Sequence, residues 1–149
     1  MSAALRPDTQ PRKIIMKLAR IDIDQVLPLR HLVLWPDRTE DFCRVSGDED
    51  ALHYGAFIDD QLVCVASIFI EGGDARLRKF ATLPEHQNQG IGSALLAHIL
   101  DELKEHGAKR FWCDARSSAT GIYSRFGMAV ESEPFSKGGV DYVKMAKRL

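Results

Sequence analysis

Apolar positions change period several times along this chain, and each change marks an element. The run "KIIMKLA" (residues 13–19) predicts a first strand. Val26, Leu27, Leu29, Leu32, Val33 and Leu34 then follow helical spacing, with Asp24 as the expected cap. Pro28 falls near the first turn, where proline is tolerated, and Pro36 forces a stop by Trp35. "DRTEDFCRV" predicts a short second helix and "SGDED" a turn. The period then drops to two. "LHYGAFI" (52–58), "QLVCVASIFI" (61–70) and "ARLRKFAT" (75–82) read as a strand meander turned at Asp59-Asp60 and at "EGGD".

The longest helical stripe comes next. Ile91, Leu95, Ile99 and Leu103 recur every four residues, widened by Ala94, Leu96 and Leu100, and Gly107 is the expected stop. "RFWCDA" (110–115) returns to strand, a short helix is expected over 119–126, and "MAVESEPF" and "VDYVKMAKRL" read as two closing strands joined at Lys137-Gly138-Gly139. The order β-α-(α)-β-β-β-α-β-α-β-β predicts one α/β (α+β) domain. Its central sheet is mixed, mostly antiparallel, of six to seven strands flanked by helices. Residues 1–12 are polar and aperiodic, which predicts a flexible tail ahead of a domain spanning 13–149.

Composition narrows the partners. The chain has 149 residues and a formal net charge of -1, which gives no reason to expect nucleic acid or an anionic membrane. Three cysteines with no C-x-x-C spacing support neither a disulfide framework nor a zinc site, and no metal is expected. The N-terminus lacks an apolar signal core and no run approaches a membrane span, so a cytoplasmic location is expected.

The candidate chemistry lies in "PEHQNQGIGSALL", where Gly90 and Gly92 open the longest helix. A helix N-terminus offers free amides and about half a positive charge, and bare backbone lets an anion approach them. Two structural alternatives stay open: Gly90 serves only a positive φ, and Gly92 only close helix–sheet packing. The usual nucleotide loops do not fit. There is no P-loop lysine, Leu95 stands where a dinucleotide fingerprint needs its third glycine, and the loop follows a meander rather than a first β-α unit.

In context the segment resembles the GNAT superfamily of acyl-CoA-dependent N-acetyltransferases. Gln87, Gly90 and Gly92 fit [QR]-x-x-G-x-[GA], and Ala119, Tyr123, Gly127 and Met128 fit a later A-x-x-x-Y-x-x-x-G-[FM] block. The resemblance implies acetyl-CoA as cosubstrate, with its pyrophosphate on the amides of Gln87, Asn88, Gln89, Gly90, Ile91, Gly92 and Ser93. It also implies a bulged fourth strand splayed from the fifth. The pantetheine arm would pair with backbone at Phe80 and Thr82, the Phe80 amide would polarise the thioester carbonyl, and Tyr123 would be the general acid. Side-chain identity at 80 and 82 is expected to matter little. Ser118 stands near the place of a family asparagine that holds the arm, and the family's strand-four acid is missing. Asp37, Glu40, Asp41, Glu71, Asp74 and His86 are the nearby alternatives for a base, none preferred.

On the acceptor side, strand alternation directs one of Arg78 and Lys79 toward the cleft, Arg78 being the candidate for an anionic acceptor. His31 and Trp35 are expected near its mouth. The leading expectation is acetyl transfer to a primary amine of a small molecule in a ternary complex. A protein or peptide acceptor, or a non-catalytic acyl-CoA sensor, are the alternatives. A homodimer is left open.

Overall fold

The computed structural model describes residues 14–149, so the expected N-terminal tail lies outside the described residues. β1 (Met16–Ile21) leads into α1 (Ile23–Leu34). Asp22, not Asp24, caps that helix: it accepts from Gln25 N–H while the Gln25 side chain returns a bond to Asp22 N–H. Pro28 falls in the second turn rather than the first. The face toward the sheet carries Val26, Leu29 and Arg30, so Leu32, expected inside, is 62% exposed on the opposite side. The expected second helix is only a 3₁₀ turn at Asp41–Cys43, since so short a segment gains too few hydrogen bonds to offset helix nucleation.

β2 (Leu52–Ile58), β3 (Gln61–Glu71) and β4 (Asp74–Thr82) form the meander. Asp59 and Asp60 both take positive φ, the requirement of a two-residue type I′ hairpin. α2 (Ile91–Glu105) crosses back to β5 (Arg110–Arg116), followed by α3 (Thr120–Arg125). "MAVESEPF" gives two short strands, β6 (Ala129–Val130) and β7 (Phe135–Lys137), both pairing with β8 (Val140–Arg148). Glu131–Pro134 breaks the run, and Pro134 has no N–H for a ladder. Among the described residues the sheet therefore has eight strands, ordered β1-β2-β3-β4-β5-β8-β6 with β7 on β8, and only β4–β5 is parallel.

Successive residues of β2 and β3 face opposite ways, which places the helices on opposite sides of the sheet. Tyr54 and Ile68 meet the α2 stripe of Leu95, Ile99 and Leu103, and Tyr54 Oη donates to Glu102 Oε1 at 2.9 Å. Their neighbours His53 and Ser67 meet α1 through a wholly buried polar cluster. Arg30 makes a fork onto Asp48 (2.8 and 2.9 Å), with further bonds to Ser67 Oγ and Cys43 O. Burial alone would raise the Asp48 carboxyl, but Arg30 and the Val45 N–H hold it below the ordinary carboxylate range. The cluster ties residues 43–48 to α1 and β3.

Removing one partner would strand a buried charge. Asp48→Asn is therefore expected to destabilise the fold by about 3 kcal/mol in urea titrations at pH 7. A depressed carboxyl contributes stability that is full above its unfolded pKa and lost as pH falls through the folded value. The wild-type loss in that acid window is expected to shrink in Asp48→Asn, and an unchanged profile would remove Asp48 from the account.

Candidate active site

β4 and β5 pair only at Asp74–Arg110, Ala75–Phe111 and Arg76–Trp112. Beyond that point each strand continues, β4 to Thr82 and β5 to Arg116, without pairing with the other. A wedge-shaped slot opens between them. β4 also bulges there: Val65 faces Ala81 and Ser67 faces Arg78, so Ala66 alone opposes both Lys79 and Phe80. Lys79 takes φ +56°, a left-handed conformation that a lysine in a strand rarely adopts. Leu83 N–H donates to Val63 O, so alternation turns the backbone groups of Thr82 and Phe80 toward the slot.

The loop before α2 closes one end of this slot. Gln87 donates from its side chain to Thr82 O at 3.0 Å, fastening loop to strand, and Gln89 donates to Glu85 O at 3.1 Å. Asn88 and Gly90 both take positive φ, which Asn tolerates and Gly adopts freely. α2 starts at Ile91 with no side-chain cap and no acid in its first turn, and the first intrahelical bond is Ala94 N–H to Gly90 O. The amides of Ile91, Gly92 and Ser93 thus form an uncapped positive pole beside the slot. Ile91's side chain is buried in the core, leaving only its backbone to the loop.

Each glycine also has a geometric reason. Gly90 needs its φ of +80°, with nothing within 4 Å of an added Cβ. A Cβ on Gly92 would stand 3.1 Å from Phe80 Cζ and 3.8 Å from Thr82 Oγ1. Gly92 is thus where α2 presses on β4. The side chains at 80 and 82, expected to matter little, do make contacts: the Phe80 ring faces Gly92 of α2, and Thr82 Oγ1 donates to Cys64 Sγ.

On the α2 face, Cys113 is the first β5 residue beyond the last β4 pair, and Tyr123 of α3 lies against it in the core. Burial, then the Cys113 thiol, pushes the Tyr123 phenol above the ordinary tyrosine range, so it stays protonated. Among the described residues its hydroxyl has no hydrogen-bond partner. Burial likewise pushes the Cys113 thiol up to about 12. Ser118 sits in the exposed 3₁₀ turn Ser117–Ala119 just past the end of β5.

On the α1 face a cavity of about 370 Å³ opens beside the bulge, lined by Trp35, Phe42, Cys43, Arg44, Val45, Ser46, Arg78 and Lys79. Trp35 meets Phe42 edge to face, centroids 5.5 Å apart. His31 is not in this wall: its Nε2 bonds Arg38 O and steadies the turn after α1. Of the acids considered as bases, none lines the cavity; Asp41 pairs with Arg44 and Asp74 with Arg110. The expectation that only one of Arg78 and Lys79 faces the cleft is also corrected. The bulge breaks the alternation, and both residues line the cavity. Phe42 and Arg44 went unmarked as site residues in the sequence, because nothing local shows that the segment after α1 folds against the bulge of β4.

The class of domain is thus set by a mixed sheet that splits between two parallel strands, with a strand bulge on one side and an uncapped helix pole at the mouth. The sequence profile of the acetyltransferase (GNAT) domain matches residues 37–149, and the chain belongs to that family of acetyltransferases. It is 30% identical over 145 residues to the uncharacterised N-acetyltransferase YitI of Bacillus subtilis (strain 168), covering 91% of this chain and 97% of that one. Among solved structures, it is similar to the ribosomal-protein-S18-alanine N-acetyltransferase from Escherichia coli, with a TM-score of 0.74 and 20% identity over 90% of this chain and 94% of that one. A GNAT family acetyltransferase from Elizabethkingia anophelis with acetyl-CoA bound matches with a TM-score of 0.70 and 18% identity, over 90% and 98% of the two chains. No described helix is long and apolar enough to cross a membrane.

Proposed function

We propose that this acetyltransferase moves the acetyl group of acetyl-CoA directly to a primary amine of a small molecule held in the cavity beside the bulge. The observation that carries this reading is the slot, whose β4 edge is unpaired beyond Arg76 and ends at an uncapped helix pole. An anionic pyrophosphate suits the amides of Gly90 to Ser93, and an extended amide-bearing arm suits the edge at Phe80 and Thr82 that β5 leaves unpaired. The acetyl-CoA-bound Elizabethkingia neighbour supports the same ligand here. When bound, acetyl-CoA supplies an activated acyl thioester.

The chain's own groups would then divide the work. The Phe80 N–H donates to the acyl oxygen as negative charge gathers there. The Tyr123 phenol, protonated and unpartnered, gives its proton to the departing sulfur. With no acid in the cavity wall, the acceptor amine loses its proton to solvent before or during attack, so the acid limb of the rate profile belongs to the acceptor. Three free, buried cysteines support a reducing cytoplasm as the setting.

The S18-alanine neighbour makes a peptide N-terminus the alternative acceptor. A half-open cavity of about 370 Å³ suits a small molecule. The test is thiol release from acetyl-CoA across a panel of small amines and short peptides, beside direct cofactor binding. Turnover of small amines is expected. Binding without turnover of any amine or peptide would replace catalysis with acyl-CoA sensing.

A further inference from the structure

We propose that the acceptor carries an anionic group and that Arg78 and Lys79 grip it together in the cavity beside the bulge; this rests on the acetyl-transfer reading above. Consecutive strand residues ordinarily point to opposite faces. Here the left-handed Lys79 re-aims its side chain, and the two cations meet in one cavity. A strained backbone conformation held at such a place is a device to be explained by what it presents.

Most other basic side chains on this face of the sheet have found acids, and Lys144 rests over the Trp112 ring, 4.7 Å from its centroid. Arg30 holds Asp48, Arg76 and Lys137 share Asp114, and Arg110 bridges Asp74 and Glu131. Among the described residues the side chains of Arg78 and Lys79 have neither an ion pair nor a hydrogen bond. Arg78 only rests over the Phe69 ring, 5.6 Å from its centroid. Arg44, on the cavity rim, is already paired with Asp41.

Both free cations are half-buried, so their charges are partly stripped of water and close to one another. Burial, then the Arg76 and Arg30 charges, lowers Arg78; burial, then Arg78, Arg30 and Lys137, lowers Lys79. A carboxylate or phosphate seated between them relieves both effects. It accepts a guanidinium fork from one side and an ammonium from the other. The Trp35–Phe42 pair supplies an apolar wall for the rest of the molecule. The substrate class is therefore a small amine bearing a carboxylate or phosphate and an apolar body.

The test pairs α-amino acids with their carboxamides and with their aminophosphonic analogues. The readouts are kcat/KM in thiol release and calorimetric binding to the coenzyme A-loaded protein. The acids are expected to exceed the amides by about tenfold or more, the scale of a charge-assisted contact. Preference for the phosphonates over the acids would identify a phosphate-bearing acceptor. Arg78→Gln and Lys79→Asn are each expected to bring the acid-to-amide ratio close to one, with Arg78→Lys restoring part of it. Asn tolerates the left-handed backbone, so the bulge is kept. Equal handling of acids and amides by the wild type would overturn the proposal, as would variants that lose coenzyme A affinity in place of acid preference. If no amine is acetylated, the transfer reading fails by itself, and selective calorimetric binding of acids would still uphold the anion site.

Discussion

Gly92→Val is expected to weaken coenzyme A binding by about a hundredfold or more while leaving the fold cooperative. A Cβ at this position would already stand 3.1 Å from Phe80 Cζ. A ring tip can give way by a few tenths of an ångström, so Gly92→Ala should be mild. Valine adds two methyl groups toward β4, and the first turn of α2 must then move away from the strand. That motion separates the helix amides from the strand edge at Phe80 and Thr82, the two halves of the proposed site. Losing two or more charge-assisted bonds of roughly 1.5–3 kcal/mol each accounts for the predicted factor.

Gly90 provides the contrast. Nothing lies within 4 Å of its added Cβ, so Gly90→Ala is opposed only by its φ of +80°. That penalty is about 1–2 kcal/mol, and Asn should carry less of it. A Phe80→Ala change in the Gly92→Val background should recover much of the lost affinity, which isothermal titration would read directly. Normal coenzyme A affinity in Gly92→Val alone would remove this loop from the account of binding.

The parts of the site legible in the sequence were those made by local rules. The stripe from Ile91 to Leu103 and the meander from Leu52 to Thr82 follow from periodicity, and both structural readings of Gly90 and Gly92 hold in the geometry. Features set by pairing between distant segments were not legible. The bulge at Lys79 arises from how β4 registers on β3, and no residue type within "RLRKFAT" announces it. Arg30 and Asp48 lie 18 positions apart and meet only because α1 packs on the strand face that carries Ser67. Leu32 shows the opposite failure. It belongs to an apolar run, but a helix twelve residues long turns only part of that run inward.

Tyr123→Phe is expected to lower kcat by about a hundredfold while changing coenzyme A affinity less than twofold, in keeping with the loss of one positioned proton donor. The magnitude turns on relative acidities. In water a thiol, near 8.5, is a stronger acid than a phenol, near 10, so a thiolate would not readily take the phenolic proton. Burial raises the phenol further and would by itself make Tyr123 a worse donor. The departing sulfur, however, would form beside the same half-buried phenol. Burial pushes the thiol of Cys113, which stands beside Tyr123, up to about 12, the direction in which the same surroundings move any sulfur anion. A thiolate released there is similarly disfavoured, and the transfer from phenol to sulfur becomes close to balanced.

This reasoning also fixes the pH dependence. A phenol held above its ordinary pKa remains a competent acid throughout the neutral and mildly alkaline range, so wild-type kcat/KM should rise with pH as the acceptor amine deprotonates. It should show no downward limb from Tyr123 below the usual tyrosine pKa. In Tyr123→Phe the departing thiolate must leave unprotonated or take its proton from water. Acyl donors with more acidic thiols should then regain most of the lost rate, whereas a merely structural role for the ring would leave all donors equally slowed. Equal slowing, or a full wild-type rate with acetyl-CoA, would overturn the assignment of Tyr123 as the acid.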